Sequence, residues 1–336
     1  MTAPGARNLI TDVPGLTVGQ AQDARARSGV TVILPDDRAI AAVDARGGGP
    51  GTRETDALAP DTLVEAVDAV VLAGGSVYGL AAADAVAAWL GARGRGFALA
   101  PGAPPAPVVP AAILYDLANG GDKRWGQDPP YRALGLDAVK SAGFEFALGT
   151  AGAGAGAMAG QLKGGIGSAS IVAEGFTVGA LAAVNSFGSV IVPGGRAFWA
   201  APFEIDGEFG GVPPSPQRVA PGDWGLAKRA ASIRTSTTLA VVATDAILTP
   251  AEARRMAVMA QDGLARAIRP VHAPFDGDVV FALATGHQAL AEPRALSLTV
   301  LGALAADCLA RAVARGVYEA TAWPRTDTRA WRDIGA

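Results

Sequence analysis

The sequence predicts a mixed α/β or α+β protein with helices covering sheet, on three observations. Short β-type runs and longer helical runs share the 336 residues without a clean strand–helix–strand alternation. Half of the residues are hydrophobic and only 18% are charged, which supplies a large core and argues against disorder. The 44 glycines and 23 prolines provide the many tight turns that short strands need. Two layers of sheet flanked by helices fit this pattern, and no internal repeat competes with it.

Apolar runs at 30–34, 39–43, 69–72, 144–148, 171–173, 176–184, 239–243 and 279–284 predict strands. Helical periodicity predicts helices over 77–90, 250–268 and 294–318. The second carries its own start signal: Thr249 as N-cap, Pro250 at the first position and Glu252 three residues beyond the cap. The third contains the most hydrophobic stretch, 296–313, where Asp307 and Arg311 mark a core helix rather than a membrane span. The lone cysteine, Cys308, lies in that helix and reads as a buried residue. Residues 201–233, with EFGGVPPSPQRVAPGDWG at 208–225, read as a long exposed loop that runs into the hydroxyl row Thr235-Ser236-Thr237-Thr238.

Several function classes recede. Net charge is −3 and no basic stripe exists, which argues against nucleic acid as a partner. The first residues hold no apolar stretch of signal-peptide length, so the expectation is a soluble, cytoplasmic protein with no membrane partner. The glycines of Gly152-Ala-Gly-Ala-Gly156 loosely fit a dinucleotide fingerprint, and Glu174 lies 20 residues after Gly154. The continuation, Gln161-Leu-Lys-Gly-Gly-Ile-Gly-Ser168, cannot form the helix on which a pyrophosphate rests. No cofactor is expected, and those glycines let backbone pass close to a strand or a ligand. His272 and His287, the two histidines, accompany neither an HExxH nor a GxSxG motif; both read as incidental, and no metal site is expected.

Three features carry possible chemistry. Asp276-Gly277-Asp278 places two carboxylates on one side of an extended segment, where they can orient an ammonium or share a proton; an ordinary Asp-Gly turn is the alternative. Lys163, one of only four lysines, sits between glycine clusters, either desolvated into a base or donor or solvated in a loop. The hydroxyl row is either β-propensity or a nucleophile. In the second case a threonine hydroxyl attacks the carbonyl before it, and hydrolysis of the resulting ester leaves threonine as a new chain end. The free α-amine, with a reference pKa of about 7.7–8.0, takes the proton from its own hydroxyl. Amide chemistry then needs no histidine. Alternation along the strand does not choose between Thr237 and Thr238.

At these residues the sequence resembles the DmpA-type family of self-processing aminopeptidases and amidases. That family includes L-aminopeptidase/D-esterases, β-peptidyl aminopeptidases and 6-aminohexanoate-oligomer (nylon) hydrolases. The resemblance spans nearly the whole chain, through segments 8–19, 43–52, 72–79, 112–116, 152–156, 163–167, 184–185, 237–245 and 276–278. It implies a four-layer αββα sandwich of the kind shared with ornithine acetyltransferases. It implies one hydrolase domain, 1–336, processed into 1–236 and 237–336, with cleavage between Ser236 and Thr237 and Thr237 as nucleophile. Asn185 matches the asparagine that supports the oxyanion, Tyr115 the tyrosine of the pocket, and Lys163 the lysine beside the nucleophile in the nylon-oligomer branch. Asp276 and Asp278 match the acidic pair of that branch, and Gly74, Gly75, Ser76 and Tyr78 are the candidate substrate-binding residues. Many relatives carry asparagine where this chain has Ser236.

The resulting expectation is an N-terminal-threonine amide hydrolase acting on peptide N-termini or amino-acid amides, assembled as a homo-oligomer (a tetramer of processed heterodimers). An endo-type hydrolase of 6-aminohexanoate oligomers is the second reading. A non-catalytic small-molecule binder and a nucleotide-dependent oxidoreductase are the readings from other classes.

Overall fold

The computed structural model describes residues 2–228 and 236–335. The end of the 201–233 loop and Thr235 of the hydroxyl row lie outside the described residues. In chain order the regular elements are β1 (Leu16–Asp23), β2 (Ser28–Pro35), β3 (Ala39–Ala45), β4 (Gly51–Arg53), β5 (Ala66–Val67), β6 (Val70–Ala73) and α1 (Ala81–Gly91). Then come β7 (Ala111–Ile113), α2 (Tyr131–Lys140), β8 (Met158–Ala159), β9 (Leu162–Lys163), β10 (Ile166–Ala173) and β11 (Phe176–Asn185). The last part holds β12 (Thr237–Ala246), α3 (Pro250–Ala267), β13 (Val279–Gln288) and α4 (Arg294–Tyr318).

Two mixed sheets form the centre, ordered β1-β2-β6-β7-β4 and β10-β11-β12-β13-β3-β5, with β8 and β9 as a separate hairpin. Side-chain alternation assigns the faces. In β12, Leu239, Val241 and Ala243 point to the other sheet, while Ala240, Val242 and Ala246 pack under α3 and α4. In β2, Ile33 joins the space between the sheets and Val30, Val32 and Leu34 face α1 and α2. Three apolar interfaces therefore separate four layers, αββα. Strands covered on both faces read as unbroken apolar runs, as 239–243 and 279–284 do.

α3 starts on the expected capping box, Thr249 Oγ1 accepting from Glu252 N–H (3.3 Å) and Glu252 Oε2 accepting from Thr249 N–H (2.8 Å). α4 is long and apolar enough to cross a membrane by composition, yet it packs against α3 and against β10 and β11. Its Arg311, fully enclosed, forms a two-pronged pair with Glu208 of the long loop and donates to Asn8 Oδ1 (2.9 Å). Cys308 is buried there, and burial pushes its thiol up to about 12.

Three expectations change. Segment 144–148 is irregular rather than a strand, because Gln20 supplies the partners: its side chain donates to Ala147 O and accepts from Ala147 N–H, both at 3.1 Å. The helix expected from 77 opens with a 3₁₀ turn, Ser76–Leu80, before α1. β1 and α2, unmarked in the sequence, complete the first sheet and its helical cover.

Candidate active site

The site is assembled where three strand ends meet. Asn185, the last residue of β11, lies opposite Thr237, the first residue of β12, in the antiparallel register. β13 runs parallel to β12, and its lead-in passes beside the hydroxyl row, with Ser236 bridged to Asp276. Gly277 N–H donates to Ser236 O (3.1 Å), and Thr238 N–H donates to Asp278 Oδ1 (2.7 Å).

Thr237 and Thr238 face opposite ways. Thr237 lines a cleft of about 330 Å³ together with Ser236, Ser76, Ile113, Tyr115 and Phe275. Thr238 Oγ1 is buried and finds no hydrogen-bond partner among the described residues. The Thr237 hydroxyl donates to the carbonyl oxygen of Ser236, the peptide bond immediately before it. That oxygen therefore receives two donors, the hydroxyl and Gly277 N–H.

Close backbone approach makes this possible. A Cβ on Gly277 would lie 2.6 Å from Thr237 Oγ1, so any larger residue displaces the hydroxyl. The 276–278 segment is held from behind by the Gly47-Gly48-Gly49 run, with Gly49 N–H donating to Asp276 O (2.7 Å). A Cβ on Gly47 would come within 2.3 Å of Asp278 N, and one on Gly48 within 2.2 Å of Pro274 O.

Asp276 and Asp278 are both buried. Asp278 is fully engaged: its second oxygen, Oδ2, meets His272 N–H (3.2 Å) and Nδ1 (2.9 Å). Asp276 Oδ1 finds no partner among the described residues. Burial, followed by the neighbouring Asp278 charge, raises the Asp276 carboxyl above the ordinary range, and Lys228 pulls it back. His272 is thus part of the acid cluster rather than incidental. Lys228 sits in the same cluster, buried, and desolvation lowers its amine to about 7 against the pull of Asp276 and Asp278. Sequence reading missed both, because each reaches the cluster from a loop. Lysine scarcity, the signal that singled out Lys163, applied equally to Lys228.

Asn185 is oriented by its neighbours. Its Oδ1 accepts from Met158 N–H (2.9 Å) and from Lys228 Nζ (3.4 Å), and its Nδ2 donates to the Tyr115 carbonyl (3.2 Å). Lys163 does not occupy the place beside the nucleophile that the resemblance implies. Its buried amine donates to the carbonyls of Gly154 (3.0 Å), Ala157 (3.0 Å) and Gly164 (2.6 Å), and desolvation lowers it to about 7. It braces the loop that delivers Met158 N–H to Asn185. Among the four candidate substrate-binding residues only Ser76 lines the cleft, on a strained backbone with φ of 52°. Gly74 and Gly75 form the turn beneath it, with Gly75 N–H on Asp116 Oδ1 (2.8 Å), and Tyr78 packs edge-on against Trp125.

The αββα sandwich with this cleft at the paired strand ends defines an enzyme class, the hydrolases of amide bonds. The chain belongs to Peptidase family S58, which residues 8–330 match. It is 48% identical over 332 residues to a Mycobacterium bovis protein named an uncharacterized aminopeptidase, covering 93% of this chain and 94% of that one. It is 29% identical to a 6-aminohexanoate-oligomer endohydrolase of a Kocuria species, over 92% of this chain and 86% of the relative. Among solved structures, the L-aminopeptidase D-Ala-esterase/amidase of Ochrobactrum anthropi superimposes with a TM-score of 0.70 at 23% identity, covering 97% and 90% of the two chains. A Burkholderia beta-aminopeptidase gives the same TM-score at 24% identity, covering 95% and 89%. These two define the fold.

Proposed function

We propose that the chain cuts itself between Ser236 and Thr237 and then works as an aminopeptidase or amidase with Thr237 as its N-terminal nucleophile. One observation carries this reading: the cleft-facing Thr237 hydroxyl already contacts the carbonyl it would attack, and Gly277 N–H already donates to that carbonyl oxygen. Attack forms the Thr237 Oγ1–C bond at Ser236 and breaks the C–N bond, giving an ester whose hydrolysis leaves the Ser236 carboxylate and the Thr237 amine. In turnover the amine accepts the hydroxyl proton as Oγ1 attacks the substrate carbonyl. Asn185 donates to the oxyanion, and water releases the acyl group. Asp276, opposite Ser236 in the register, holds the new ammonium.

Removing one oxyanion donor slows an acyl-transfer enzyme about 10²–10³-fold in kcat, the loss expected for Asn185→Ala. At the chain average, 33.6 kDa over 336 residues, the 236- and 100-residue products weigh about 23.6 and 10.0 kDa. A denaturing gel with N-terminal sequencing of the smaller band tests the cut. Fully active enzyme running as one 33.6 kDa band, or full activity in Thr237→Ala, overturns the proposal.

A second reading, endo-hydrolysis of 6-aminohexanoate oligomers, has its own support. No described side chain lining the cleft is charged, so the lining offers no carboxylate to a substrate ammonium, and a named relative has that activity. Parallel assays on aminoacyl-p-nitroanilides and on soluble 6-aminohexanoate oligomers separate the two.

A further inference from the structure

Asn185 can serve as an oxyanion donor only if its amide is held one way round. An asparagine side chain carries an acceptor at one tip and two hydrogens at the other, and rotation by half a turn exchanges them. Met158 N–H, a backbone donor with no acceptor role, points at Oδ1 and so excludes the reversed amide. The Lys228 ammonium is the second donor on the same oxygen, and it also donates to the Asn185 main-chain carbonyl at 3.0 Å. With Oδ1 taken, one Nδ2 hydrogen goes to the Tyr115 carbonyl and the other remains for the cleft.

We infer that Lys228 is a positioning residue of the reaction, which fixes Asn185 from behind with its charge and keeps the second amide hydrogen on the reacting carbonyl. The inference rests on the reading of Asn185 as oxyanion donor. Three observations support it. The amine is buried, so it serves no solvent-facing purpose. It is tethered on the strand side, Lys228 N–H donating to Phe187 O (2.8 Å), two residues beyond Asn185. Its charge is matched by Asp276 and Asp278, the carboxylates that face it, with His272 behind Asp278. A lysine at this point also draws electron density from the amide through Oδ1, which makes the Nδ2 hydrogens better donors to an oxyanion.

A double-mutant cycle tests it. Lys228→Met removes the charge and keeps the length. The expected result is a loss in kcat of about 10–100-fold with KM within about twofold, because misplacement by a fraction of an ångström acts on the transition state. Asn185→Ala and the Lys228→Met/Asn185→Ala double variant should then be equally impaired, since Lys228 has nothing left to position. Wild-type kcat in Lys228→Met, or losses that multiply in the double variant, overturns the inference. Should Lys228→Met fail to fold, Lys228→Arg decides. The lysine loses its proton as pH rises through about 7, so wild-type kcat should carry a falling alkaline limb there, which the permanently charged arginine removes. An unchanged limb rejects the inference. Full activity in Asn185→Ala alone defeats the oxyanion reading instead, so the two failures are distinguishable.

Discussion

Thr237 and Thr238 have the same side chain and adjacent positions, and the fold gives them opposite environments. One hydroxyl reaches the cleft and its own preceding carbonyl, the other is sealed in the core. What keeps the first in place is the missing side chain of Gly277. Gly277→Ala puts a methyl 2.6 Å from Thr237 Oγ1 and 3.0 Å from Gly49 O, so the hydroxyl must turn away from Ser236. Self-cleavage is expected to slow by about 10²-fold, the usual consequence of an ångström of misplacement, while the melting temperature changes little. Wild-type cleavage on a time-course gel contradicts this. A second residue-scale prediction concerns Asp116, which supports the Gly75–Ser76 turn and whose Oδ2 finds no partner among the described residues. Burial raises its carboxyl to about 6, against about 3.9 unfolded. Between those values the folded chain holds a proton that the unfolded chain has released, so stability falls as pH rises from about 4 to 6. Above that window the buried charge costs at most about 3 kcal/mol. Asp116→Asn keeps the acceptor for Gly75 and removes the titration. Its stability relative to the parent, read by urea unfolding, should be higher at pH 8 than at pH 4, and equal differences at both pH values refute the assignment.

At the level of elements, what the sequence disclosed was what repeats along the chain. The apolar runs of β2, β11, β12 and β13 were visible because both sheet faces are buried, and α3 announced itself by its cap. β1, LTVGQAQD, and α2, YRALGLDAVK, were hidden because polar side chains dilute their periodicity; each is fixed by a neighbour, β2 and α1 respectively. The site divides the same way. Thr237, Asn185 and the two aspartates were legible through a family pattern, whereas Lys228 and His272 join them by long-range contact that no local pattern encodes. The cap itself offers a prediction. Thr249→Ala removes the acceptor for Glu252 N–H and should destabilise by about 1 kcal/mol. Glu252→Ala should cost more, because Glu252 also receives the Arg294 guanidinium at 2.9 and 2.8 Å and so ties the start of α4 to the start of α3. Urea midpoints in the reverse order would show that the Arg294 pair contributes nothing.

For the whole molecule, the position of Ser236–Thr237 determines what a cut would do. The segment after it contributes β12, β13, α3 and α4, and the segment before it contributes everything else. In the second sheet the order is β10-β11-β12-β13-β3-β5, so the two strands of the later piece lie between strands of the earlier one on both sides. They share an eight-residue antiparallel register with β11 and a six-residue register with β3. α3 and α4 are also the whole outer cover of that sheet on the side where Val178, Ala180, Ala182 and Val184 are buried. Pulling the pieces apart would expose both the inter-sheet core and the helix–sheet core, at roughly 25 cal/mol for each Å2 of apolar surface. The cut chain should therefore run on size exclusion as the uncut Thr237→Ala protein does, at nanomolar dilution as well as micromolar, and release the 100-residue piece only in denaturant. Neither piece should fold alone, since each holds half of a shared sheet, and mixing the denatured pieces before dilution should restore the native circular dichroism. Dissociation of the smaller piece in plain buffer would mean that β12 is not held on both edges as the register requires.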